Sequence, residues 1–301
     1  MTERHRTDYQ IKQIMKYNRD GSPDKQKSRH QNLMRCITEL RARGYSKRWD
    51  IHKIGEKEAH RLVRDWRDKG LKHKTIANRM ADIRWIASKV NRQNHIPSNR
   101  NVGIALRENN PGHGENKSSR LEQNDLDQMD QRMQLINLLK AEFGLREKEA
   151  MMFQHNYATS ASDSYIRLKG NWCKGGRPRS VEITNDQQRS VLRRVKEHQQ
   201  KHGEKSMIPA NQKYMSYKKQ VQAKSTELGI KGHGFRHQWA QNRFIQITGG
   251  IQPPIMGGQA YSSLDEASQV RWNKAARLVN EELGHGRGRE DITATYIGVR
   301  I

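Results

Sequence analysis

A mainly helical chain carrying one small antiparallel sheet, divided into two domains, is what this sequence predicts, on three observations. Apolar residues recur at helical spacing through most of the length. A short region from about residue 165 to 183 instead reads as strands, broken by glycines. Near residues 96–120 the chain turns poor in apolar residues and rich in Pro, Asn and Gly, the chemistry of a linker.

The totals agree with two modest cores. At 301 residues the length suits about two domains, and 33% hydrophobic content is lean for one large core. With 57 Lys+Arg against 32 Asp+Glu, the formal charge is +25. A polyanion is the partner such a surplus meets, because neutralising phosphates releases counterions. Charge decides only that class, and a ribosomal or chromatin-like basic protein fits it equally. Cys36 and Cys173 are too few for a disulfide scaffold and are wrongly spaced for structural zinc, which points to a reducing cytoplasm. Residues 1–6 hold no apolar run, and no stretch of about 18 apolar residues occurs, so a soluble protein without a membrane segment is expected.

In chain order, residues 1–22 are polar and basic, broken by Asp20-Gly21-Ser22-Pro23, and read as a flexible basic arm. Residues 23–110 read as a helical domain. Leu33, Met34, Ile37 and Leu40 mark one helix from Asp24 to Arg43, stopped by Gly44. Ala59, Leu62, Val63 and Trp66 mark a second before Gly70, and Ile76, Met80, Ile83, Ala87 and Val90 a third from Lys74 to Asn91. Their outer faces carry Arg41, Arg43, Lys47, Arg48, Lys72, Lys74, Arg79 and Arg84, which suit phosphates. Trp66 and Trp85 read as core or core-edge residues. Residues 111–119 are the expected linker, with the second domain at 120–301.

There, Leu126, Met129, Met133, Ile136, Leu138 and Leu139 run as one helical period into Phe143-Gly144-Leu145-Arg146-Glu147-Lys148-Glu149. Strand-like Tyr165–Leu168, Asn171–Cys173 and Ser180–Ile183 follow, with Lys174-Gly175-Gly176-Arg177-Pro178-Arg179-Ser180-Val181 across a turn. Helices are expected over 185–202 and from Tyr214 to Leu228. His198 and His202 lack a third ligand for a metal and read as a solvated helix end. A further helix opens on His233-Gly234-Phe235-Arg236-His237 and packs Phe235, Trp239, Ala240 and Phe244. Residues 248–272 read as an inserted loop with a short helix from Ser263, and a helix over 274–283 ends in Leu283-Gly284-His285. Thr293-Ala294-Thr295-Tyr296 follows near the end. These residue types suit phosphate chemistry. Arginine forks two oxygens, histidine passes a proton near neutrality, and a tyrosine hydroxyl can attack.

These stretches resemble the T-G-L-R-x-x-E, K-G-x-x-x-R-x-V, H-x-x-R, L-G-H and terminal Tyr of the tyrosine recombinases, the phage-integrase family. The resemblance implies an N-terminal helical core-binding (SAM-like) domain and a C-terminal α+β tyrosine-recombinase catalytic domain, clamped on a duplex. It implies a site-specific DNA recombinase that cleaves and rejoins DNA through a 3′-phosphotyrosyl link, for integration or excision of a mobile element. Arg146, Lys174, His233, Arg236, His285 and Tyr296 fill the family's catalytic set in order. Tyr296 would attack, Arg146 and Arg236 hold the phosphate, Lys174 protonate the leaving oxygen, His233 relay the tyrosine proton and His285 bond the phosphate. Lys169 is the alternative to Lys174. No cofactor and no metal is implied.

The implied partners are double-stranded DNA, a homotetramer on paired sites with a dimer at each, and a DNA-bending accessory protein. The implied location is the cytoplasm of a bacterium or of a phage host, at the nucleoid. This sequence departs from the family pattern in Phe235, where leucine is usual, in the inserted 248–272, and in ending at Ile301. Rival readings are a strand transferase like the type IB topoisomerases and a non-catalytic basic DNA-binding protein. A metal-dependent nuclease would require clustered carboxylates, which the sequence lacks.

Overall fold

In a computed structural model of the chain, described over residues 6–46, 48–104, 115–286 and 288–298, two compact units divide between Asn109 and Asn110. The first unit holds α1 (Arg6–Tyr17), α2 (Pro23–Ala42), α3 (Glu56–Asp68) and α4 (His73–Lys89). Ser22 caps α2 by accepting the Lys25 N–H, and Pro23 starts it where a missing N–H costs nothing. Leu33, Leu40, Leu62, Trp66, Met80 and Ile86 fill its core.

Residues 6–17 correct the expectation of a flexible arm. They form α1, whose Ile11 is fully buried in that core and whose Thr7 hydroxyl donates to the Trp49 carbonyl. A single apolar stripe, Ile11 with Ile14 and Met15, was enough to dock a polar helix. Trp66 is buried and Trp85 lies at the core's edge. Half of the expected phosphate-gripping set is engaged within the unit. Arg41 pairs with Asp8 (2.5 Å), Arg43 with Asp65 (2.8 Å) and Arg79 with Glu39 (3.6 Å), and Arg84 donates to Asn99 and to the Pro97 carbonyl. Arg48, Lys72 and Lys74 are exposed. Lys47, residues 1–5 and the first four residues of the expected linker, 111–114, lie outside the described residues.

The second unit holds α5 (Gln123–Asp127), α6 (Gln131–Phe143), α7 (Glu147–Met151), α8 (His155–Ala158), β1 (Tyr165–Leu168), β2 (Arg179–Glu182), α9 (Asp186–His202), α10 (Tyr214–Glu227), α11 (Gly232–Thr248), α12 (Glu266–Glu282) and α13 (Glu290–Ile297). Helix α11 is its axis, packed on α6, α12 and α13. Strands β1 and β2 pair antiparallel with Ile166 opposite Val181. Both of these residues are fully buried in the core that Leu139, Phe143, Trp172 and Phe244 also fill.

Three expectations are corrected here. The single helical period through 126–143 divides into α5 and α6, because Asp130 turns its carboxylate back to cap Met133 N–H. Asn171–Cys173 is a turn and not a strand. Its backbone bonds run Trp172 N–H to Lys169 O and Cys173 N–H to Gly170 O, which swings the Trp172 ring into the core beside Phe153 and Tyr157. The insertion is a loop over 249–265 only, since Asp265 caps one continuous α12 that absorbs the rest.

Candidate active site

Helix α6 ends at Gly144, which takes φ +60°, and a Cβ there would stand 2.5 Å from the Trp239 ring. Only glycine tolerates both the left-handed turn and that approach. The chain therefore reverses against α11 and delivers Arg146 to the start of α7. The Arg146 backbone N–H donates to Glu149 Oε2 (2.7 Å) and its guanidinium to Glu149 Oε1 (2.8 Å).

From α11, Arg236 is 1% exposed and donates through its two terminal nitrogens to the Gly144 and Leu283 carbonyls. Arg146 reaches the same Leu283 carbonyl (3.2 Å). The Leu283-Gly284-His285 turn is thus the point on which both arginines converge. Beyond it, α13 brings in Tyr296, 5% exposed, whose hydroxyl accepts from Arg236 Nε at 3.4 Å. The His285 ring stacks on Tyr296 with centroids 5.5 Å apart, and His233 stands 6.3 Å from it. Five of the six expected residues, Arg146, His233, Arg236, His285 and Tyr296, are brought together.

Lys174 lies exposed at the start of the β1–β2 turn, where Gly175 and Gly176 take φ +78° and +73°. That turn borders the site, because Arg177 donates to the His285 carbonyl (3.4 Å). The alternative, Lys169, is occupied elsewhere. It donates to Gln154 (2.8 Å) and sits 4.3 Å over the Tyr157 ring.

Three residues given no part in the sequence reading belong to the same cluster. Glu149 is fully buried between Arg146 and Arg179, whose guanidinium it accepts at 2.6 Å. Burial pushes its carboxyl up, but Arg179, Arg236 and Arg146 outweigh that and hold it at about 2. Arg179 also donates to the Glu282 carbonyl, tying β2 to α12. His237 lies against Tyr296, its ring 4.4 Å from the tyrosine ring, with Nδ1 buried and unpartnered. Two of these signals were visible: Glu149 and Arg179 occupy the fixed Glu and Arg positions of motifs already quoted. His237 follows Arg236 directly, and only the fold turns it inward.

The electrostatics are one-sided. Burial first, then Arg236 and Arg146, press His285 down to about 3. Burial, His233 and Lys117 press His237 to about 4, and His233 is lowered as well. Three neutral imidazoles therefore line a cluster of three guanidiniums facing one carboxylate. Such a cluster suits a monoanion that brings two accepting oxygens. Among the described residues no group of three or more His, Cys, Asp or Glu could hold a metal ion.

Comparison with known proteins bears on the fold that carries this cluster. A family model described as Integrase matches residues 115–242. No curated protein sequence matches the chain. Among solved structures, a lambda integrase (75–356) dimer bound to a COC′ core site is 14% identical, with TM-score 0.58 over 96% of this chain and 93% of that one. XerH site-specific recombinase on palindromic difH, a post-cleavage complex, is 16% identical (TM-score 0.58, 96% and 80%). Tn1549 transposon integrase (82–397) with circular intermediate DNA is 15% identical (TM-score 0.53, 98% and 96%). These likenesses establish a shared fold over nearly the whole chain.

Proposed function

We propose, for a chain that is a tyrosine recombinase with an integrase domain, that Tyr296 cuts double-stranded DNA and stores the broken bond for rejoining. The observation that carries this is a buried phenol within reach of a guanidinium, with a second arginine converging on the same carbonyl.

In the forward step the Tyr296 oxygen bonds to phosphorus and the bond to the 5′ oxygen breaks, leaving a 3′-phosphotyrosine and a free 5′-hydroxyl. Arg146 and Arg236 take the two non-bridging oxygens. Each terminal guanidinium nitrogen has a second N–H beyond the one given to a carbonyl. Their charge meets the negative charge that grows in the pentacoordinate state, in a site already stripped of water. His233, neutral, accepts or relays the phenolic proton, and His285 bonds a phosphate oxygen. Lys174 donates a proton to the departing 5′ oxygen from the turn. The reverse step with a different 5′-hydroxyl completes strand exchange and needs no nucleotide.

Exchange between two duplexes takes four cuts, and each protomer holds one tyrosine at the site. A homotetramer, with a dimer on each site, follows from that reading. The 23–110 helical domain would grip the duplex through Arg48, Lys72 and Lys74, which stay exposed. Integration or excision of a mobile element, a DNA-bending helper and a bacterial or phage setting enter by resemblance alone.

The test is covalent trapping on a nicked suicide duplex. Wild type should yield an adduct that survives denaturation, and Tyr296→Phe none while still shifting the same DNA. Equal absence of adduct in both would reduce the chain to a basic DNA-binding protein. Relaxation of supercoils by a monomer, without exchange between two sites, would favour the topoisomerase-like reading.

A further inference from the structure

The chain enters the second unit as an extended segment that is stapled to α11. Ser119 donates its N–H to the Gly234 carbonyl (3.2 Å) and its hydroxyl to the Lys231 carbonyl (3.2 Å). The approach is so close that a Cβ on Gly234 would meet Ser119 Oγ at 2.2 Å and the Lys117 carbonyl at 2.8 Å. A third staple lies deeper. Gln241, fully buried one turn beyond His237, donates through Nε2 to Asn116 Oδ1 (2.8 Å) and to the backbone carbonyl of Tyr296 (3.1 Å).

That carbonyl lies in the last turn of α13, where helix carbonyls have no partner of their own. The orientation of the amide follows from chemistry, since a backbone carbonyl only accepts and so must face the NH2 group. Gln241 Oε1 is left buried without a partner, a cost tolerated to keep both donors on the strap and the nucleophile. Asn116 is itself held, its Oδ1 also accepting the Ser118 N–H (3.0 Å).

We infer that Gln241 is a positioning residue for strand cleavage, one amide that fastens the Tyr296 backbone to the segment entering the catalytic unit. The strap at 116–119 and the nucleophile helix then move together. Strain on the strap is felt at the tyrosine through two hydrogen bonds. The inference rests on the reading of Tyr296 as nucleophile.

The test uses the full chain and the same suicide duplex under single-turnover conditions, with affinity measured separately. Gln241→Leu, close in volume, should slow adduct formation roughly tenfold to a hundredfold while DNA affinity changes less than about threefold. Gln241→Glu keeps the length but turns a carboxylate on two acceptors. Its deficit relative to wild type should shrink as pH falls from about 8 to 5.5, because the protonated acid regains one donor. His237, one turn before it on α11, is pressed by burial, His233 and Lys117 to about 4, below the range scanned, so the ratio reports the introduced carboxyl. A space-filling role would show no such pH dependence.

Asn116→Ala, an exposed change that leaves the core intact, should give a smaller loss of about threefold, and should add nothing to Gln241→Leu. Wild-type rates in Gln241→Leu, or a Gln241→Glu deficit flat with pH, would overturn the inference. Absence of adduct in wild type itself would instead overturn the reading of Tyr296.

Discussion

The first unit and the arginine cluster of the second handle charge in opposite ways. In the first, carboxylates answer the cations: Arg41 pairs with Asp8, Arg43 with Asp65, and Lys25 and Arg29 share Asp82. In the second, Arg146, Arg179 and Arg236 crowd around the single carboxylate of Glu149, and backbone carbonyls take up the remaining donors. One arrangement places each cation beside a carboxylate. The other leaves surplus positive charge in a buried cluster, which is what the proposed phosphate contact requires.

The largest effect expected from this contrast is on stability. Glu149→Gln leaves three guanidiniums in a dry site facing a neutral amide, and should cost the second unit about 3–5 kcal/mol. Asp65→Asn frees an Arg43 whose side chain is 54% exposed, and should cost the first unit no more than about 1 kcal/mol. Hydrogen exchange read segment by segment separates the two units. Equal losses would break the comparison.

Acid should act in the same order. Between pH 6.5 and about 4 the folded second unit binds fewer protons than its unfolded chain at His237 and His285, so stability falls as pH falls. About 1 kcal/mol for each of them should be gone by pH 5.5. Glu149 contributes fully above 4.5 and loses its contribution only as pH falls toward about 2. In the first unit Asp50 is held near 2, against burial, by His52, Gln10 and Arg6, and its contribution is intact until pH drops below 3.8. Protection from exchange, taken relative to the intrinsic rate at each pH, should therefore fall in α11 and α13 before it falls in α2 and α3.

The smallest effect sharpens the proposal that the arginine cluster binds a phosphate. Inorganic phosphate at about ten times its dissociation constant should add on the order of 1 kcal/mol to the second unit, with no change in the first. Arg236→Lys should remove the increment, because a point charge cannot replace a two-pronged donor. Stabilisation of both units alike would mean a general salt effect.

Much of this site was legible in the chain before folding. Gly144 announced the end of α6 and the place of Arg146. The spacing from Lys174 to Arg179 and Val181 marked a turn between strands, and the crowded His233–His237 stretch opened α11 as expected. What failed, failed for local reasons. Asn171–Cys173 has strand-like residues, yet a tryptophan seeking the core bent the backbone into a turn. Residues 6–17 look like a solvated arm because only one narrow stripe of the helix is apolar.

The sequence by itself determined the helical character, the two-part division, the net charge of +25 and the order of the arginines, histidines and tyrosine of the candidate site. Those features are written in periodicity and residue type, which need no partner to be read. Only the tertiary structure decided that Glu149 would face three arginines, that His237 would lie beneath Tyr296, and that Gln241 would join the Tyr296 backbone to the entering strap. Each of these is a meeting of residues distant along the chain. Which of two equally polar side chains is turned inward is settled by the packing of whole helices, a long-range sum that no local pattern encodes.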